Sequence, residues 1–263
     1  MIKVCSLFSG SSGNCIFVSS GETSILVDAG VSGKRIEEAL TSIGESAQSI
    51  SGIIITHEHC DHISGAGILA RRHKIPVYAN SQTWAAMRRD IGKLMPDFIK
   101  VAEIGQQFLI GDITITSFAI PHDAANPVGY NFYMQDKKIT IATDIGHVSD
   151  ELLVNLENSH MILLESNHDI EMLKTGSYPW PLKRRIMGDF GHLCNELTGK
   201  IVAHLAENGT KIFLLGHLSK ENNFPELAYQ TVCNALIEKK IFPDKDVYLD
   251  VALRDRASKM ICI

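Results

Sequence analysis

Three isoleucines, Ile53, Ile54 and Ile55, run straight into Thr56-His57-Glu58-His59-Cys60-Asp61-His62, and this junction limits the possible folds more than any other stretch. A short, unbroken run of β-branched residues predicts a strand buried on both faces. Such a strand needs layers above and below it. The same join recurs downstream, where residues 139–142 run into Thr143-Asp144 and Phe213-Leu214-Leu215 runs into Gly216-His217. Buried strands that each deliver a His or Asp at the C-terminal edge are placed to build one site from loops.

Around these joins, short apolar runs alternate with longer amphipathic stretches, a rhythm that predicts an α/β fold. Strands are predicted at 2–7, 15–19, 24–27, 52–55, 77–79, 113–119, 130–134, 138–142, 161–164, 211–215 and 247–249, and helices at 33–43, 65–73, 82–90, 150–155, 195–207 and 225–240. The two halves share an outline, strands first and then a strand ending in an acid or histidine followed by helices, which suggests a pseudo-duplicated pair of sheets. With 263 residues and no linker-like segment, one domain over 1–263 is expected. The first fifteen residues hold no apolar core of signal-peptide length, no window approaches a membrane span, and the six cysteines form no C-x-x-C pair. A cytoplasmic protein with reduced thiols and no membrane partner is the expectation.

His57, His59, Asp61 and His62 place four metal-ligand side chains within six positions. Imidazole and carboxylate are donors that Zn²⁺, Mn²⁺ and Fe²⁺ accept. A loop or turn with no function is the competing reading, but a string of this kind directly after a buried strand weighs against it. Four ligands cannot complete two coordination shells, so further ones are expected at downstream strand ends: His122 after 113–119, Asp144 and His217. The assignment expected is His57, His59 and His122 on one ion, Asp61, His62 and His217 on a second, and Asp144 bridging both.

The order of Leu26-Val27-Asp28, Thr56 to His62, His122, Thr143-Asp144 and His217 resembles the metallo-β-lactamase-fold hydrolases. Asp rather than Cys at 144 resembles the phosphodiesterase and nuclease branches. Ser9-Gly10-Ser11-Ser12-Gly13-Asn14-Cys15, Glu165-Ser166-Asn167-His168-Asp169, the stretch from Tyr178 to Ile186, Gly191-His192-Leu193-Cys194-Asn195 and Gly216-His217-Leu218-Ser219-Lys220-Glu221-Asn222-Asn223 are similar to signatures of the YycJ (WalJ) family. Cys194 departs from the Ser common there. The resemblance implies a four-layer αβ/βα metallo-β-lactamase-type sandwich, two divalent metal ions, and 5′-to-3′ exonuclease activity on DNA.

Other polar residues carry two readings each. Ser11 and Asn14 in the Gly-rich stretch are candidates for substrate contact, although Gly10 and Gly13 equally suit a tight turn. Asp28 either orients a ligand histidine or caps the following helix. Lys183, Arg184 and Arg185, flanked by Tyr178 and Trp180, are candidate phosphate contacts in a chain whose formal net charge is -5, though a solvated helix face is the commoner role of such a run. His192, before the predicted helix at 195–207, is a candidate proton donor to a leaving oxygen and a rival to His217 as ligand. Asp61 is the candidate to orient or deprotonate water. His168 either supports a neighbouring site residue or is a core histidine, Cys60 is a small filler, and His73, His147, His160 and His204 are structural. The chemistry expected is metal-dependent phosphodiester hydrolysis with DNA as substrate; the alternative is a small-molecule hydrolase acting on a cyclic phosphodiester, thioester or other ester at the same site.

Overall fold

In the computed structural model, which describes residues 1–263, the isoleucine run forms β4 (Ile50–Ile54), flanked by the parallel strands β3 (Ser24–Val27) and β5 (Val77–Ala79). Ile53 pairs with Leu26 on one side and Val77 on the other, and all three are fully buried. With β1 (Lys3–Phe8), β2 (Cys15–Ser19), β6 (Ile99–Val101) and β14 (Ile261–Cys262) they make a seven-stranded mixed sheet, ordered β14-β1-β2-β3-β4-β5-β6. The parallel half is crossed by α1 (Gly33–Ser42), α2 (Cys60–Ile63), α3 (Ala66–His73) and α4 (Ser81–Met87). Phe17, Leu26, Leu40, Ile53, Ile55 and Leu69 meet in the core beneath them.

The chain forms two compact units: Met1–Ser117 with Ala124–Val128 and Leu253–Ile263, and Phe118–Asp123 with Gly129–Ala252. Outside the first sheet, β7 (Gln107–Ile110) and β8 (Ile113–Ala119) make a tight hairpin turned by Gly111 at φ 57°. In the second unit β9 (Val128–Met134) runs antiparallel to β10 (Lys137–Ala142). β10, β11 (Met161–Glu165), β12 (Ile212–Gly216) and β13 (Tyr248–Val251) are successive parallel neighbours. Its helices are α5 (Asp150–Leu156), α6 (Ile170–Thr175), α7 (Trp180–Ile186), α8 (Asn195–Glu207) and α9 (Pro225–Glu238).

Parallel register levels the strand ends. Ala142 pairs with Leu164, Leu164 with Leu215, and Glu165 with Gly216, so Asp144, Glu165 and His217 leave the sheet at one edge. Asp28, Asp144 and His217, all just past strand ends, have left-handed φ of 59°, 60° and 54°. Non-glycine residues rarely take this conformation, and it tends to be retained where function needs a side chain aimed.

The predicted α/β alternation holds along the chain. The short edge strands β6, β7 and β14 and the helices α2, α6 and α7 are additional to the predicted elements. α2 starts inside the His/Asp cluster, with His59 as its N-cap, so Asp61 and His62 sit on a helical turn and not in an extended loop. No helix is long and apolar enough to cross a membrane.

Candidate metal centre

Sharp turning after β4 gathers the first cluster. His57 Nε2 and His59 Nδ1 lie 3.0 Å apart. Two imidazoles on one tetrahedral zinc, at about 2.0–2.1 Å per bond, bring their nitrogens to roughly 3.3 Å, so this pair is close to a shared-ion geometry. His62 is fully buried, and its Nδ1–H donates to Asp28 Oδ2 at 2.7 Å. That bond fixes the tautomer and leaves the lone pair on Nε2, 3.6 Å from Asp61 Oδ2. Asp28 also accepts from Thr56 N at 2.8 Å and Thr56 Oγ1 at 2.9 Å. The helix-cap alternative for Asp28 is excluded: the N-cap of α1 is Ser32.

Asn14 supports this cluster from behind. Its backbone N–H donates to the Asp61 carbonyl at 2.8 Å, its Oδ1 accepts from Gly10 N at 2.9 Å, and its Nδ2 lies 3.1 Å from His62 Nε2. Gly10 and Gly13 have φ of 136° and 148°, as a tight turn requires, and Ser11 is exposed at its tip. Gly30 is obligatory here, because a Cβ on it would fall 1.7 Å from the Asp61 carbonyl oxygen.

The second unit gathers a group of its own. Asp144, Glu165, His192 and His217 each offer a ligand atom, all within 4.8 Å of one another. His217 Nε2 lies 3.4 Å from Asp144 Oδ1. The fully buried Glu165 accepts His192 Nδ1–H at 2.7 Å through Oε1, while its Oε2 accepts Ile145 N at 2.7 Å and Leu193 N at 3.3 Å. His192 therefore spends its Nδ1 on Glu165 and keeps Nε2. Burial works to lower the His192 imidazole, but the charge and hydrogen bond of Glu165, with Asp144 and Asp123, outweigh it and raise it to about 9. His122 donates Nδ1–H to the Gly191 carbonyl at 3.1 Å, leaving Nε2 3.6 Å from Asp144 Oδ1. Imidazole nitrogens with fixed tautomers and carboxylate oxygens form a donor set that fits divalent ions.

Glu165 was not among the expected site residues, although it ends a buried strand as Asp144 and His217 do. His168 is buried with no hydrogen-bond partner for its Nδ1, and burial pushes its pKa down to about 4 against the pull of Glu165. It is a neutral core histidine. Lys183 corrects the expected basic run: it is 8% exposed, and its ammonium donates to the Lys174 and Gly176 carbonyls at 2.8 and 2.7 Å, closing the end of α6. It is not available to a phosphate. Arg184 and Arg185 are exposed, with Arg185 paired to Asp123. Cys194 is the N-cap of α8, a position where Ser is a strong cap, and it makes no side-chain cap bond.

These features coincide with a known family. The sequence pattern of the metallo-beta-lactamase superfamily matches residues 9–217, a span that runs through both units. The chain belongs to this superfamily and is a metal-dependent hydrolase of its α/β sandwich fold. Within it the chain is YycJ-like: it is 44% identical over 233 residues to Exodeoxyribonuclease YycJ of Bacillus anthracis, covering 89% of this chain and 88% of that protein. It is equally 44% identical over 238 residues to Exodeoxyribonuclease WalJ of Streptococcus pneumoniae, covering 90% and 88%. The crystal structure of the metallo-β-lactamase fold protein YhfI from Bacillus subtilis shares the fold at a TM-score of 0.70 over 98% of this chain and 100% of that one, with 18% identity.

Proposed function

We propose that this chain is a dinuclear metal-dependent phosphodiesterase that acts as a 5′-to-3′ exonuclease on DNA in the cytoplasm. The exodeoxyribonuclease names of two relatives with 44% identity support the substrate, and six free cysteines suit a reducing compartment. The proposed metal ligands are His57, His59, Asp61, His62, His122, Asp144 and His217, with Asp144 shared by the two ions; Zn²⁺, Mn²⁺ and Fe²⁺ all suit this set.

One observation carries the reading: Asp144, Glu165, His192 and His217 bring ligand-type atoms within 4.8 Å of one another in a chain 44% identical to two exodeoxyribonucleases. Within that group His192 gives Nδ1–H to the buried Glu165, whose charge favours the imidazolium and makes His192 the proposed proton donor, while His217 is the proposed ligand. When bound, divalent ions neutralise phosphate oxygens and lower the pKa of water. Asp61 then orients the attacking water and takes its proton. His192 Nε2 gives a proton to the departing 3′ oxygen as the P–O bond breaks, with Glu165 holding the imidazolium. The products are a 3′-hydroxyl on the released nucleotide and a 5′-phosphate on the shortened strand.

The test is elemental analysis of the purified protein beside a turnover panel of bis(p-nitrophenyl) phosphate, cyclic nucleotides, thioesters and linear duplex DNA. Two ions per chain with DNA among the cleaved substrates is expected. A cyclic phosphodiester cleaved under Mn²⁺ and Zn²⁺ while DNA stays intact would replace the nuclease reading with the small-molecule one.

A further inference from the structure

Glu165, His192 and His217 come from three separate sequence stretches, and each stretch also carries a buried asparagine that the chemistry leaves unused: Asn167, Asn195 and Asn223. Burying primary amides is costly unless their hydrogen bonds are met. Here they are met by one another and by the backbone of the loops that hold the site. Asn195 and Asn223 pair reciprocally, with Asn195 Nδ2 donating to Asn223 Oδ1 at 3.0 Å and Asn223 Nδ2 to Asn195 Oδ1 at 2.9 Å. Asn223 Nδ2 also donates to the Ser166 and Asn167 carbonyls at 2.9 and 3.0 Å, and Ser166 Oγ donates to Asn195 Oδ1 at 2.7 Å. The turn after β11 is thereby tied to the first residue of α8 and to the residue before the N-cap of α9.

Asn167 sits where this turn meets both histidine loops. Its backbone N–H donates to the carbonyl of Leu193, the neighbour of His192, at 2.9 Å, and its own carbonyl accepts Ser219 N at 2.7 Å. The side chain adds a third tie, Nδ2 donating to the His217 carbonyl at 2.9 Å. That peptide needs holding. His217 has a left-handed φ of 54°, a conformation that a non-glycine residue keeps only where its surroundings impose it. A functional side chain must stay within about 0.5 Å of its productive place, and its direction follows the peptide that carries it.

From this we infer that Asn167 is a positioning residue for one of the two ions: its side-chain amide fixes the His217 peptide, and through it the direction of His217 Nε2, against the loop that carries His192. The inference rests on the proposed ligand role of His217 and adds the device that keeps ligand and proton donor in register. Asn167 acts through His217 and is itself neither ligand nor proton donor. Its two backbone ties do not depend on its side chain, so a substitution at this position tests the third tie alone.

The experiment is metal binding by the full chain, read without substrate by chelator competition with Zn²⁺ or Mn²⁺, and urea unfolding in EDTA measures any purely structural part. Asn167→Ala should weaken the step served by His217 by about 10- to 100-fold, the loss typical when an outer partner of a ligand is removed. Asn167→Ser, polar but too short to reach the His217 carbonyl, should do the same, and it serves where Asn167→Ala does not fold. In a His217→Ala background, adding Asn167→Ala should change the affinity for the remaining ion by less than about two-fold, because the tie then has no ligand to aim. Wild-type metal affinity in the folded variants, with only their urea unfolding shifted, would overturn the inference, as would a loss of equal size in the His217→Ala background. A His217→Ala protein that still holds two ions at wild-type affinity would instead remove the ligand role on which the inference depends.

Discussion

Replacing Asp28 by Asn isolates what a single proton position contributes to the centre. Asp28 is 1% exposed and its two oxygens have different partners: Oδ1 accepts Thr56 N at 2.8 Å, and Oδ2 accepts Thr56 Oγ1 and His62 Nδ1–H at 2.9 and 2.7 Å. In the amide, the oxygen must stay on Thr56 N, because a backbone N–H cannot face an NH₂. The NH₂ then faces His62 Nδ1, which has to become the acceptor, and the imidazole proton moves to Nε2. The atom offered to a metal is thereby protonated. Losing a charge-assisted hydrogen bond costs about 1.5–3 kcal/mol. Loss of such an outer partner typically weakens metal binding by about 10- to 100-fold, which corresponds to about 1.4–2.8 kcal/mol. The two estimates agree. Asn also tolerates the left-handed φ of 59° at this position, so backbone strain does not confound the result. Chelator competition on the apo protein, titrated with Zn²⁺ or Mn²⁺, should show the step served by His62 weakened within that range, with a smaller effect relayed through Thr56 Oγ1 to His57 Nδ1, 3.0 Å away. Unaltered affinity and stoichiometry in D28N would refute the claim that Asp28 sets the His62 tautomer for ligation.

His217→Ala should lower metal content toward one ion per chain, whereas His192→Ala and Glu165→Gln should keep both ions and lower turnover by about 10²- to 10⁴-fold; metal counts in the reverse pattern would mean the two histidines exchange roles. Asp144→Ala should lose both metals and nearly all activity, and two ions retained in that variant would rule out a shared carboxylate. Lys138 supplies a pH signature of stability away from the site. Burial pushes its ammonium down to about 8, against the pull of Glu157, while it donates to the Asn155 and Glu157 carbonyls at 2.8 and 2.6 Å. The folded state therefore gives up this proton before the unfolded state does, so stability rises with pH from about 8 to the unfolded value near 10.4, by at most about 3 kcal/mol. Denaturant unfolding of the wild type minus that of Lys138→Met should show this gain between those limits, and a flat difference would contradict it.

The centre was legible in the sequence where a buried strand ends in a ligand-type residue. His57, His59, Asp144 and His217 follow that rule, and so does Glu165, which ends β11. Asp28 was undecided between two roles, and the decision rests on tertiary detail: where the turn after β3 sends the chain and which residue reaches α1 first. The Lys183–Arg185 run misled because three consecutive cations look solvated, whereas helical periodicity turns Lys183 inward with Ile186. α7 begins with Pro179 as its N-cap and Pro181 in its first turn, where proline is well tolerated. Strands β6 and β14 have only three and two residues, too short to show a period. The neutral state of His168 follows from burial, which nothing in its local sequence reveals.

The most direct test of the account is the fate of the terminal label on a linear duplex carrying a labelled 5′-phosphate, incubated with purified protein and Mn²⁺. The account predicts early release of labelled mononucleotide from the 5′ end, abolished by EDTA and by Asp144→Ala. Label retained on shortening fragments, or DNA left intact while bis(p-nitrophenyl) phosphate is hydrolysed, would contradict it.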